Sequence, residues 1–283
     1  MLKFISMGSG SSGNCYYLFT DNDGLLIDVG VGLRTLRKHF RDYGLSLAHV
    51  RHIIVTHDHA DHIKSVGSIS HDLHLPVWAT ERVHQGIDQN YCVSRKVEPA
   101  LRRVLSPGST VALGQFAVTP FSVPHDSNDC VGYFVQCQSV AFCIITDAGT
   151  VTPQMRPYIA RADYLVIEAN HDVEMLRQGP YPQHLKERIA SGRGHLSNQL
   201  CGQAIAQNMS ERLRHVWLCH LSEENNHPEL ARKTVETVLR SYGIVVGRDL
   251  QLDVLKRTMP TGIFLLSSPS PQPTPQHHHT VEP

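Results

Sequence analysis

The chain has 283 residues, of which 41% are hydrophobic and 18% charged, so it holds enough apolar material for one large domain or two small ones and is neither disordered nor fibrous. Its 26 Lys plus Arg offset 26 Asp plus Glu, so no molecule-wide positive field draws it to nucleic acid, and a polyanion would have to be held by a local patch or by metal. Nineteen His residues point to metal or proton chemistry wherever they cluster.

The apolar runs Leu2 to Ile5, Cys15 to Phe19 and Leu25 to Ile27, separated by a Gly/Ser run and the turn Asp21-Asn22-Asp23-Gly24, predict the start of an antiparallel sheet. Apolar residues at Val31, Leu33, Leu36 and Phe40 predict a helix over 31–43, and Ile53, Ile54 and Val55 a buried strand. That strand runs into a His-rich loop. Helices are expected over 63–73 and 80–87, then strands over 111–121, 131–137 and 141–146. Beyond Asp147 the pattern turns to alternating helix and strand: helices near 153–159, 185–190, 198–208 and 229–242, with strands at 164–167 and 216–219. Gly262 to Leu266 is the last element expected. Residues 267–283 are Pro-rich and apolar-poor, and the triplet His277, His278 and His279 falls in that tail.

The seven cysteines are scattered, odd in number and without a Cys-x-x-Cys pair, which favours reduced thiols over a disulfide framework or a Cys zinc site. No segment approaches the ~20 apolar residues of a membrane helix, and Met1 to Gly10 has no long apolar stretch. The expectation is a cytoplasmic protein without a membrane partner.

The central signal is Thr56-His57-Asp58-His59-Ala60-Asp61-His62. The i, i+2 spacing of His57 and His59 suits two imidazoles on one metal, and the adjacent Asp61 and His62 suit a second metal nearby, as two-metal hydrolases require. A solvated His-rich turn is the plainer alternative. Three more ligand types follow apolar strands: His125 after Phe121, Asp147 after Ile145, and His220 after Cys219. Singly, each also suits a cap or turn.

In order, Asp28 (in Ile27-Asp28-Val29-Gly30), the His57 to His62 cluster, His125, Asp147 and His220 resemble the motifs of the metallo-β-lactamase superfamily, over essentially residues 1–266. The resemblance implies an α/β fold, a four-layered αβ/βα sandwich forming one hydrolase domain, with the site at one edge of two β-sheets. It implies that His57, His59 and His125 hold one metal, that Asp61, His62 and His220 hold another, and that Asp147 bridges them. Asp61 is also expected to act in catalysis, and Asp28 to orient the cluster by hydrogen bonds. Such a ligand set accepts Zn²⁺ or Mn²⁺, so two divalent ions are the expected cofactors.

The stretches Met7-Gly8-Ser9-Gly10-Ser11-Ser12-Gly13-Asn14, Glu168-Ala169-Asn170-His171-Asp172 and Gly194-His195-Leu196-Ser197-Asn198 resemble the bacterial YycJ/WalJ branch of that superfamily. This resemblance implies a phosphodiesterase, a 5′ to 3′ exonuclease with double-stranded DNA as substrate. The alternatives are a phosphodiesterase on small cyclic or nucleotide esters, and a catalytically idle metal-binding regulator. In the Gly/Ser run, Ser9, Ser11, Ser12 and Asn14 suit either phosphate contact or a tight hairpin. His195 is a candidate acid or phosphate ligand in catalysis, and Glu168 a candidate partner that orients it; each also suits a structural role. The short span from Asp147 to His195 leaves no room for a large inserted RNA-processing domain.

Overall fold

The computed structural model describes residues 1–267, so the Pro-rich tail expected from residue 267 lies, apart from Ser267 itself, outside the described residues. The first half of the chain lays down β1 (Leu2–Gly8), β2 (Cys15–Phe19), β3 (Gly24–Ile27), β4 (His52–Ile54), β5 (Val77–Ala79) and β6 (Arg102–Val104). Helices α1 (Leu33–Asp42), α2 (Ala60–Ile63), α3 (Val66–Leu73) and α4 (Glu81–Gln89) occupy its connections. The chain then builds β7 (Val111–Leu113), β8 (Phe116–Ser122), β9 (Val131–Cys137), β10 (Val140–Ile145), β11 (Tyr164–Glu168), β12 (His215–Cys219) and β13 (Gln251–Val254). With these come α5 (Arg156–Arg161), α6 (Val173–Gln178), α7 (Gln183–Ala190), α8 (Asn198–Asn208) and α9 (Pro228–Ser241), after which β14 (Phe264–Leu266) returns to pair with β1. The result is two seven-stranded mixed sheets, ordered β14-β1-β2-β3-β4-β5-β6 and β13-β12-β11-β10-β9-β8-β7.

Alternation along the strands builds four layers. In β10 to β12, Phe142, Ile144, Tyr164, Val166 and Trp217 point between the sheets and meet Phe4, Leu18 and Ile27 of the other sheet. Their neighbours Cys143, Ile145, Leu165, Ile167 and Leu218 point outward and pack against α5, α8 and α9 through Ile159, Ile205 and Val235. On the other side, Ile5, Met7, Leu26 and Ile53 pack against Leu36, Phe40, Ile69 and Val83 of α1, α3 and α4. Both faces of each sheet are therefore covered, which explains strands apolar at almost every position instead of alternating with polar residues. This is the αβ/βα sandwich of the metallo-β-lactamase fold. The seven cysteines are all free. Among the described residues, no helix is long and apolar enough to cross a membrane.

Several elements differ from the sequence expectation. The run over 111–121 is broken into the hairpin β7–β8 at Gly114, whose φ of 55° places it in the left-handed region. The helix over 63–73 is interrupted at Lys64 and Ser65, and α6 was not anticipated. Strands β5 and β6 have three residues each, too few for a period-two pattern, and half of β13 is exposed.

Parallel pairing positions the site. Strand β3 pairs in parallel with β4, ending at Ile27↔Ile54, and β10, β11 and β12 pair in parallel through Ile145↔Ile167↔Leu218. Their C-terminal ends therefore share one edge of the sandwich. Asp28 and His220, directly after β3 and β12, adopt left-handed backbone with φ of 60° and 53°. Such conformations cost non-glycine residues of order 1–3 kcal/mol and persist where surrounding structure enforces them.

Candidate metal centre

From β4 the chain passes through Val55 and Thr56 to His57 and His59 on a loop, and His59 stands immediately before α2. Asp61 and His62 thus lie in a helical turn, whereas the sequence placed the whole cluster on a loop. The Gly/Ser segment is laced to this turn: the Asn14 amide N–H donates to the Asp61 carbonyl at 2.7 Å, and Val29 N–H donates to the His62 carbonyl at 2.8 Å. A Cβ at Gly30 would overlap the Asp61 carbonyl, so this close backbone approach requires glycine. His125 follows β8, Asp147 follows β10, Glu168 ends β11, His195 precedes α8 and His220 follows β12.

In this cluster the Nδ1 atoms of His57, His62, His125 and His220 each face an acceptor. Thr56 Oγ1 donates to Asp28 Oδ2 at 2.8 Å and so accepts from His57 Nδ1 at 3.0 Å. His62 Nδ1 donates to Asp28 Oδ2 at 2.7 Å, His125 Nδ1 to the Gly194 carbonyl at 2.9 Å, and His220 Nδ1 to Glu168 Oε1 at 3.0 Å. The network thereby engages Nδ1 as a donor in all four rings and turns each Nε2 into the cluster, the atom that a neutral ring offers to a cation. Among the described residues His57 Nε2, although buried, has no hydrogen-bond partner, and nor has Asp147 Oδ2, which lies 3.2 Å from His62 Nε2 without hydrogen-bond geometry. His125 Nε2 faces another imidazole nitrogen, His59 Nδ1, at 3.3 Å. Unpartnered buried acceptors are costly, and converging nitrogen lone pairs with carboxylates are what a divalent cation would satisfy.

Four groups of side chains have ligand atoms within 4.8 Å of one another: His57 with His59 and His125; Asp61 with His62 and His220; His57 with His62 and Asp147; and Asp147 with Glu168, His195 and His220. Asp147 therefore lies between the two sides of the cluster. The charges are arranged to match. Burial pushes the Asp61 carboxyl up, but His62 and the hydrogen bond from His220 outweigh this and hold it well below its usual range. Burial likewise opposes ionisation of Asp147, and His220 and His62 overcome it. His57 lies well below its usual range because burial dominates and neighbouring imidazoles add to it.

Glu168 is fully buried and divides its two oxygens. Oε1 accepts from His195 Nδ1 at 2.7 Å, while Oε2 accepts from the backbone N–H groups of Ala148 at 2.9 Å and Leu196 at 3.0 Å. Glu168 is enclosed behind His195 and His220, in the place expected of a partner that orients His195. His195 lies 3.5 Å from Asp147 Oδ1 with its side chain 19% exposed. Burial lowers its pKa, but Glu168 more than compensates and the net direction is upward.

The Gly/Ser run is divided in its placement. Ser9 is buried: its hydroxyl accepts from the His220 N–H at 3.0 Å and lies 2.9 Å from the Tyr16 hydroxyl. Asn14 is buried too, its Nδ2 placed 3.1 Å from Asp61 Oδ2 and 2.9 Å from His62 Nε2. Both side chains are committed to the cluster's frame, and Ser11 and Ser12 alone of the four are exposed. Sequence reasoning missed Thr56, the Gly194 carbonyl and the close approach at Gly30. All three lie inside motifs quoted above, but only the residue type of Gly30 signals its role, a close backbone approach.

Comparison with known proteins agrees with this geometry. Residues 24–220 match the family model described as "Beta-lactamase superfamily domain", and the chain belongs to that superfamily, in its YycJ/WalJ branch. It is 35% identical over 262 residues to the exodeoxyribonuclease YycJ of Bacillus anthracis, covering 93% of this chain and 98% of that protein. It is 33% identical over 250 residues to the exodeoxyribonuclease WalJ of Streptococcus pneumoniae, covering 88% of this chain and 93% of that protein. Among solved structures, the metallo-β-lactamase fold protein YhfI of Bacillus subtilis superposes with a TM-score of 0.68 at 18% identity, over 92% of this chain and 98% of that one, a likeness of fold.

Proposed function

We propose that the protein is a metal-dependent exodeoxyribonuclease acting on double-stranded DNA from the 5′ end. In this reading His57, His59 and His125 hold one divalent ion, Asp61, His62 and His220 hold a second, and Asp147 spans the two. The observation that carries it is the unpartnered buried pair His57 Nε2 and Asp147 Oδ2 inside a cluster whose other nitrogens are oriented by Nδ1 hydrogen bonds. The relatives named as exodeoxyribonucleases supply the substrate class. Zn²⁺ and Mn²⁺ both suit the His and carboxylate donor set. When bound, such a pair acidifies water toward neutrality and offsets charge on an attacked phosphate.

The chain's own residues do the rest. Asp28 holds His62 directly and His57 through Thr56, so two adjacent rings, with centroids 4.0 Å apart, share one anchor. Glu168 fixes the proton of His195 on Nδ1 and favours the charged ring, which leaves Nε2 to give a proton to the departing alcohol. Ser11 and Ser12, exposed on the loop that Asn14 ties to Asp61, offer hydroxyls for a phosphate of the strand.

The test is incubation of chelator-treated protein, resupplied with Mn²⁺ or Zn²⁺, with duplex DNA labelled at either the 5′ or the 3′ end. Early release of labelled mononucleotide from the 5′ end is expected. Intact DNA alongside cleavage of a simple aryl phosphodiester would move the substrate to a small molecule.

A further inference from the structure

Beside His195 the surface opens into a cavity of about 350 Å³. Its wall includes Val173 and Leu176 of α6, Leu200 of α8, and His195 itself. Val173 and Leu200 are 48% and 47% exposed. Single exposed apolar side chains need no explanation, but two half-exposed aliphatic residues from different helices that line one cavity beside a functional imidazole are a different matter. The volume lies at the small end of ligand pockets, which run roughly 300–1,000 Å³, so it suits one nucleoside and excludes a duplex.

Four polar side chains of the wall, Arg177, Gln183, Lys186 and Glu187, are engaged by neighbours, whereas the buried His171 Nδ1 has no hydrogen-bond partner among the described residues. Lys186 Nζ donates to the Arg177 carbonyl at 2.8 Å, the Arg177 guanidinium pairs with Glu174 at 2.6 Å, and Gln183 Nε2 donates to Glu187 Oε1 at 2.9 Å. What remains for a ligand is chiefly aliphatic surface, which accepts the face of any base and discriminates none. The shared wall fixes where such a ligand lies. His195 bonds Glu168 at 2.7 Å and stands 3.5 Å from Asp147, so whatever fills the cavity adjoins the group at the reacting centre.

We infer that this cavity receives the sugar and base of the substrate nucleotide next to the scissile phosphate, gripping it by aliphatic contact irrespective of base identity. The inference rests on the nuclease reading and deepens it. An enzyme that releases successive nucleotides from a strand end requires a subsite with that tolerance.

The test compares wild type with Leu200→Glu, and with Val173→Asp should the first variant alter folding, on duplex DNA whose terminal or penultimate nucleotide is either intact or abasic. Removing the base at one of these two positions is expected to lower wild-type kcat/KM roughly tenfold, the lower end of what burying one aliphatic side chain contributes. The variant should cut intact DNA about tenfold more slowly and lose nothing further on the abasic substrate, because both changes delete the same contact. Undiminished cleavage of both abasic substrates by wild type, or losses that multiply, would overturn the inference while leaving the nuclease reading intact. Failure of wild type to cut any DNA would overturn the nuclease reading and the inference with it.

Discussion

Glu168 Oε1 lies 2.7 Å from His195 Nδ1 and 3.0 Å from His220 Nδ1, so one buried carboxylate orients both imidazoles. Glu168→Gln preserves shape but removes the charge and offers His195 a neutral acceptor. We expect kcat on duplex DNA to fall about 10–100-fold, the usual effect of losing a partner that orients a functional imidazole. KM should change little, since Glu168 does not meet DNA. Steady-state kinetics on end-labelled duplex separate the two constants, and a variant altered in KM alone would remove the positioning role.

Gly30→Ala tests whether the backbone places Asp61. The added methyl would overlap the Asp61 carbonyl, forcing apart two segments that are otherwise laced by hydrogen bonds. A loss of about 3 kcal/mol in stability is expected, at the upper end for overpacking. DNA cleavage should fall more steeply than the folded fraction. Wild-type activity together with an unchanged urea midpoint would contradict the geometry.

The Gly/Ser run separates into two kinds of serine. Ser9→Ala removes the acceptor for the His220 N–H and should cost about 1–3 kcal/mol, the penalty of leaving a buried donor unsatisfied. Ser11→Ala and Ser12→Ala, on exposed hydroxyls, should leave thermal melting unchanged and raise KM for DNA. If neither surface variant affects KM, the run serves the frame alone.

His171 is buried, and burial depresses its pKa from 6.5 to about 4. Folding therefore favours the neutral ring, and this stability is complete above pH 6.5. As pH falls toward 4 the unfolded chain takes up the proton first, and on the order of 3 kcal/mol is lost through this residue. Urea unfolding at pH 7 and pH 4 should show a smaller acid loss in His171→Leu than in wild type. Equal losses in the two proteins would mean that His171 does not titrate as described.

Much of this molecule was legible in its sequence because it is written as residue type. Three His and two Asp packed into the stretch His57 to His62 have no common structural purpose, and a strand's last apolar residue marks where Asp147 or His220 emerges. Unbroken apolar runs also carried the longer strands, whose two faces enter different cores, as Phe142 and Cys143 do. What escaped depends on direction or on backbone. Ser9 and Ser11 are alike as letters, yet one faces inward to the His220 N–H and the other faces solvent. Thr56 acts through a hydroxyl between Asp28 and His57, and Gly194 through a carbonyl, neither of which leaves a compositional trace. Glu168 was expected to orient His195, but its burial behind that ring left no mark, since a strand-end carboxylate looks the same whether it faces a cleft or lies behind one.

The most direct measurement is the rate of duplex DNA cleavage as Mn²⁺ or Zn²⁺ is titrated into chelator-treated protein, for wild type and for Asp61→Ala in parallel. The account predicts no cleavage without metal, full activity only after about two ions per chain have bound, and no recovery in Asp61→Ala at any metal concentration while the variant remains folded. Cleavage by the chelator-treated protein, or wild-type rates from Asp61→Ala, would contradict it.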